Sequence, residues 1–348
     1  MKHLIIISLL LLVSGLSSCD SRRGGSSSLT RATGIAYEVI VVMDKALWDG
    51  NAGNAIREEL TSPVPYLLNS ESSMRYTYVR PDLFSGFLKS VRNILIVNIN
   101  NNVYTKVSLA SEANKWARGQ SVVYLNSPDV QSVETYLSDN YRAIVNFFDK
   151  EEMKRTADFL RDSYSHVVME KVRDKFGIEL YAPTEILSHK EGDDCLWFSN
   201  NTANGRMDLL IYSFPYVDKN TFTLEYLVAK RDSMAKKMVP GSFENTYMST
   251  EKRVVDYYPS SLNDKYCGIL RGLWRMEGGD MMGGPFVSYA RVDEANKRVI
   301  VTEGFVYEPQ KNKRNYIRRI EASLRTTLFP DEQSDFVDKN NIIYVNGR

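Results

Sequence analysis

AYEVIVVM at residues 36–43 and NILIVNI at residues 93–99 are the two stretches on which the fold turns. Each is an apolar run of strand length, rich in Val and Ile, and too continuous to leave one face wet, as expected of strands in a sheet covered by helices. Between them the pattern predicts a short helix at 51–60, an alternating strand at 75–79 and a second helix at 81–91. A helical stretch at 111–117 and an apolar strand at 121–125 follow. Strands alternating with helices imply an α/β layer.

The clearest helical periodicity comes next. Val133, Leu137, Tyr141, Ile144, Val145 and Phe148 fall on one face, with Ser127 and Pro128 as the expected N-cap and first-turn pair. Met153, Ala157, Leu160, Tyr164, Val167, Val168, Val172 and Phe176 continue it, and Gly177 offers a C-cap. After Pro183 the character changes to longer strands. Residues 196–200 and 207–214 read as a hairpin around Asn204-Gly205, a strong turn signal. Further strands are expected at 253–258, 266–276, 286–292 and 298–307, with a helix at 223–238. A last helix places Ile317, Ile320, Leu324 and Leu328 on one side. The expected architecture is an α/β N-terminal half (34–176) plus an α+β C-terminal half (177–330) with a mainly antiparallel sheet and helices on one face. A polar tail occupies 331–348.

Ahead of the body, Lys2 and the apolar run 4–16 form a secretory leader, too short for the roughly 20 residues that span a bilayer. Leu16, Ser17, Ser18 and Cys19 follow at once. They resemble the lipobox of bacterial lipoproteins, which implies cleavage of 1–18 and lipidation of Cys19. Residues 19–33 are polar and rich in Gly and Ser, a flexible tether. Several buried acyl chains make a durable anchor, since each CH₂ contributes about 0.8 kcal/mol. The tether carries one acidic residue, Asp20, and lacks the acidic cluster after the cysteine that would resemble a surface-export signal of such lipoproteins, so the expected location is the outer membrane, facing the periplasm.

Removing the leader removes Lys2 alone among 44 Lys and Arg, leaving 43 against 43 Asp and Glu. That balance gives no electrostatic case for nucleic acid. Cys195 and Cys267, in strand-like segments of an exported protein, either pair as a disulfide or remain as buried free thiols. No zinc-type spacing surrounds them, and His166 and His189 stand apart, so neither metal nor cofactor is expected.

Enzyme signatures fail in turn. No G-x-S-x-G, phosphate loop, H-E-x-x-H or G-x-G-x-x-G is present. Ser233-Met-Ala-Lys236 imitates the S-x-x-K of penicillin-binding proteins, but its companion Ser138-Asp139-Asn140 precedes it and K-T-G is missing. Glu185, Glu191, Asp193 and Asp194 offer an acid pair for glycoside hydrolysis or simply a solvated loop.

The most unusual composition is Arg271-Gly-Leu-Trp274-Arg-Met-Glu-Gly-Gly-Asp280-Met-Met-Gly283-Gly284-Pro-Phe286. Its glycines can form a nest of N–H groups for an anion or carbonyl, with Trp274 as a stacking face and Arg271 or Arg275 as countercharge; Arg271, Trp274, Asp280, Gly283 and Gly284 are therefore candidate ligand-binding residues. The plain alternative is a hairpin connection. This stretch, the lipobox and the helical centre together resemble the uncharacterised Bacteroidetes lipoproteins grouped as a domain of unknown function. The resemblance implies location and carries over no catalytic residue. The function expected is a membrane-anchored envelope protein that binds an envelope protein or small ligand without catalysis, with a hydrolase of envelope glycan or peptide as the alternative.

Overall fold

The computed structural model describes residues 29–279 and 281–332, so the leader, Cys19, Asp280 and residues 333–348 lie outside the described residues. In the N-terminal part β1 (Glu38–Val42), β2 (Arg75–Val79), β3 (Asn93–Ile99), β4 (Ser108–Ala113) and β5 (Ser121–Ser127) form one sheet in the order β2-β1-β3-β5-β4. All pairs are parallel except β4 with β5. Helices α1 (Lys45–Asp49), α2 (Asn51–Thr61), α3 (Val130–Asp139) and α4 (Ala143–Asp162) pack on one face, around Val39, Val41, Leu95, Val123 and Leu125. Ile40, Val42, Ile94 and Val122 occupy the other face, beneath Phe84, Leu88 and Trp116.

Four local expectations differ from the structure. The segment at 81–91 is two 3-10 turns, Pro81–Leu83 and Gly86–Ser90, because Gly86 takes φ +54° and breaks the helix that its apolar spacing suggests. Residues 111–113 of the stretch at 111–117 belong to β4, an exposed edge strand whose pairing with β5 overrides the helical preference of Ala and Glu. The third concerns the long helical face. It is interrupted at Arg142, which is left-handed (φ 65°) and leaves Tyr141 63% exposed. Asp129, not Ser127, caps α3 by accepting from Ser132 N at 2.7 Å.

No local side chain caps α4. The carboxylate of Glu59 on α2 accepts from the backbone of Arg142 (2.8 Å), Ile144 (3.0 Å) and Val145 (3.2 Å), and so fixes one helix on another.

The C-terminal part holds seven antiparallel strands: β6 (Ser188–Gly192), β7 (Cys195–Ser199), β8 (Arg206–Pro215), β9 (Tyr247–Leu262), β10 (Lys265–Glu277), β11 (Gly283–Asp293) and β12 (Arg298–Tyr307). Their order is β6-β7-β8-β12-β11-β10-β9. The expected α/β half and antiparallel half are both present, although helices cover both faces of the second sheet. On one face α5 (His166–Phe176), ended by Gly177 at φ 74°, and α7 (Arg314–Leu324) bury Val172, Phe176, Ile317 and Ile320 against Leu209, Ile211 and Val287. On the other, α6 (Leu224–Met238) packs on Leu210, Tyr212 and Phe305. Alternation along each strand sends neighbouring residues to opposite cores.

The two sheets meet at α7. Its first N–H groups, from Lys313 and Arg314, donate to the Glu71 carboxylate at 2.7 and 2.9 Å. Arg314 and Arg318 donate to the carbonyls of Ser72 and Ser73. Among the described residues no helix is long and apolar enough to cross a membrane.

Candidate functional site

Two of the candidate residues from the glycine-rich stretch are built into strands rather than presented on a loop. Gly283 and Gly284 open β11, opposite Arg275 and Trp274 of β10. A Cβ on Gly284 would stand 2.1 Å from the Val306 carbonyl oxygen, so this glycine serves the close approach of two strands. Trp274 is 3% exposed, its indole N–H donating to the Val306 carbonyl at 3.2 Å, and it has no open face for stacking. Positive φ occurs instead at Gly278 (92°) and Gly279 (140°).

Arg271 does reach a cavity. About 280 Å³ opens between the N-terminal segment 64–67, α4, the strands β9 to β11 and α7, and its polar lining is Tyr66, Arg142, Asn146, Asp149, Tyr258, Arg271, Arg318 and Glu321. This volume lies near the lower end of the roughly 300–1,000 Å³ typical of small-molecule sites, and junctions between layers are where such sites concentrate.

The lining is held by ion pairs. Arg271 donates to both oxygens of Glu321, one at 2.7 Å, and Tyr289 donates its hydroxyl to the same carboxylate at 2.7 Å. Burial pushes the Glu321 carboxyl up, but Arg271, Arg325 and Tyr289 outweigh it and hold the group at about 2. Asp149 has the opposite balance. Burial raises its pKa, Arg318 opposes the rise and the nearby charge of Glu321 adds to it. Arg318 Nε stands 2.9 Å from Asp149 Oδ1, a close ion pair, but that buried oxygen accepts no hydrogen bond. At the mouth, Tyr66 donates to Asp256 at 2.6 Å and touches the hydroxyl of Tyr258.

Arg142 is fixed from outside the cavity, donating to Ser62, to the Pro63 carbonyl and to Ser73, each at 2.9 Å. Its strained backbone follows from this clamp and from Glu59. Of the cavity's charged groups only Arg271 was singled out from sequence. A signal for the others existed: Arg314, Arg318 and Glu321 lie in step with the apolar face of the last helix, where lysine or arginine is rarely buried unless paired.

Cys195 and Cys267 are free and buried, one in each core of the seven-stranded sheet. Three strands separate β7 from β10, about 19 Å at the usual strand spacing, so they do not form the disulfide that was one of the two expectations. Three of the four acids ahead of β7 are separately paired with cations. Glu185 accepts from Arg319 at 3.0 Å, Glu191 sits 2.6 Å from Lys171, and exposed Asp193 lies 3.2 Å from Lys237. Ser233 and Lys236 are exposed on α6, while Ser138-Asp139-Asn140 ends α3 over the other sheet. Among the described residues no group of His, Cys, Asp and Glu is arranged to hold a metal.

Residues 165–326 match the family model described as Domain of unknown function (DUF4837), and residues 32–161 match the one described as Domain of unknown function (DUF8532). The two matches meet in the gap between α4 and α5, where helices of the first sheet give way to helices of the second. No curated protein matches the chain.

Proposed function

We propose that this chain is an envelope lipoprotein of the Bacteroidetes type, anchored through lipid on Cys19 at the outer membrane, and that its body binds a small polar ligand in the junction cavity without transforming it. The leader and the Leu16-Ser17-Ser18-Cys19 sequence support the anchor. One observation carries the binding reading: the cavity places the part-exposed Arg271 and the under-bonded Asp149 among apolar walls from Val64, Leu67, Met153 and Ile317. Its ionised carboxylate, Glu321, is fully engaged by arginine and tyrosine and is no free nucleophile. Cys19→Ala is expected to abolish incorporation of radiolabelled fatty acid and to release the protein from membranes. Label still entering that variant would refute the anchor. Protease added to intact cells should leave the body undigested if it faces the periplasm.

One observation favours the hydrolase reading. Asp149 and Glu321 line the same cavity with pKa values pushed in opposite directions, the arrangement that divides acid from base roles. Turnover of envelope glycan or peptide by the wild type, lost in Asp149→Asn, would establish that reading over the first.

A further inference from the structure

The far end of the C-terminal sheet carries a second, larger cleft of about 620 Å³, lined by Tyr216, Phe222, Tyr266 and Val292 with Lys219, Glu294 and Lys297 at its rim. Its rings form a corner. Phe222 and Tyr266 meet edge to face, centroids 4.9 Å apart and planes at 83°, and Tyr216 stands 6.2 Å from Phe222. The corner is built rather than accidental, because a Cβ at Gly268 would come within 2.9 Å of Phe222 and 3.0 Å of Tyr257. Those rings therefore lie on bare backbone of β10. Tyr257 and Tyr266 hold each other by their hydroxyls, so Tyr266 keeps its orientation while remaining 48% exposed.

We propose that this cleft, independently of the junction cavity, binds a saccharide chain. A pyranose ring presents an apolar C–H face and a girdle of hydroxyls. The ring corner supplies the apolar contact, and the phenol, ammonium and carboxylate groups at the rim supply donors and acceptors of both kinds. A purely apolar partner would strip water from Lys219, Glu294 and Lys297 without return.

Saturation-transfer difference NMR on the full-length protein tests this with millimolar cellohexaose, chitohexaose and maltohexaose. At least one is expected to receive saturation chiefly on the ring C–H protons of one face. Tyr266→Ala should weaken that signal about tenfold and Tyr266→Phe should keep most of it, since the ring face makes the main contact and its edge-to-face packing on Phe222 survives loss of the hydroxyl. Both variants should melt as the wild type does; if Tyr266→Ala melts early, Lys219→Ala, on the exposed rim, takes its place and should weaken the signal. No transfer to any of the three saccharides, transfer indifferent to these substitutions, or cleft-dependent sedimentation with phosphatidylglycerol vesicles in place of saccharide binding would overturn the proposal.

Discussion

Glu321 is where burial and charge compete most openly. The side chain is almost wholly enclosed, which alone would favour the protonated form, yet a two-pronged arginine and a tyrosine hydroxyl keep it ionised. In the unfolded chain its carboxyl takes up a proton near 4.5, and in the folded protein near 2. Between those values the unfolded state binds more protons, so the stability due to this group is complete above about pH 4.5 and is lost as pH falls toward 2. The shift corresponds to roughly 3 kcal/mol. Denaturant titrations from neutral pH down to pH 2 should show that loss in the wild type. Glu321→Gln should be destabilised by a similar amount at neutral pH and show a flatter curve in the window. An unchanged curve would mean that Arg271 and Glu321 do not pair in solution.

At the scale of elements, the seven-stranded sheet assigns each residue to a core by parity, and the two cysteines fall on opposite sides. Burial pushes the Cys267 thiol up to about 12 and raises that of Cys195, so both are poor nucleophiles in the folded protein. A body beginning at residue 29 should give no reaction with a thiol reagent until denatured, and then two equivalents without reductant. A single disulfide-linked species would contradict the pairing of these strands. Much of this architecture was legible in sequence, because β1, β3, β5 and the hairpin of β7 and β8 carry patterns that local chemistry and burial both favour. Two of the misread elements share a cause. Residues 111–113 form a strand only because β5 offers a partner, and α4 begins at Arg142 only because Glu59 reaches it from α2. Neither partner is visible within a local window.

For the whole molecule, the same reasoning explains why the candidate site was half seen. Arg271 stood out by its neighbours in the sequence, whereas Asp149 and Tyr66 reach the cavity from a different sheet layer, brought there when α7 docks with its N-terminus on Glu71. Trp274 and the paired glycines attracted notice for composition, which proved to serve strand approach. Such long-range convergence is set by topology and leaves no spacing in the chain. The binding function therefore rests on whether the junction cavity holds a ligand. Native mass spectrometry of the full-length protein, extracted from its own membranes, measures this directly beside Asn146→Trp, which places a large side chain at the cavity from the exposed side of α4. One small molecule per chain in the wild type, missing from the variant, is the predicted result; a wild type that carries none, or a variant that carries it equally, would contradict the binding function.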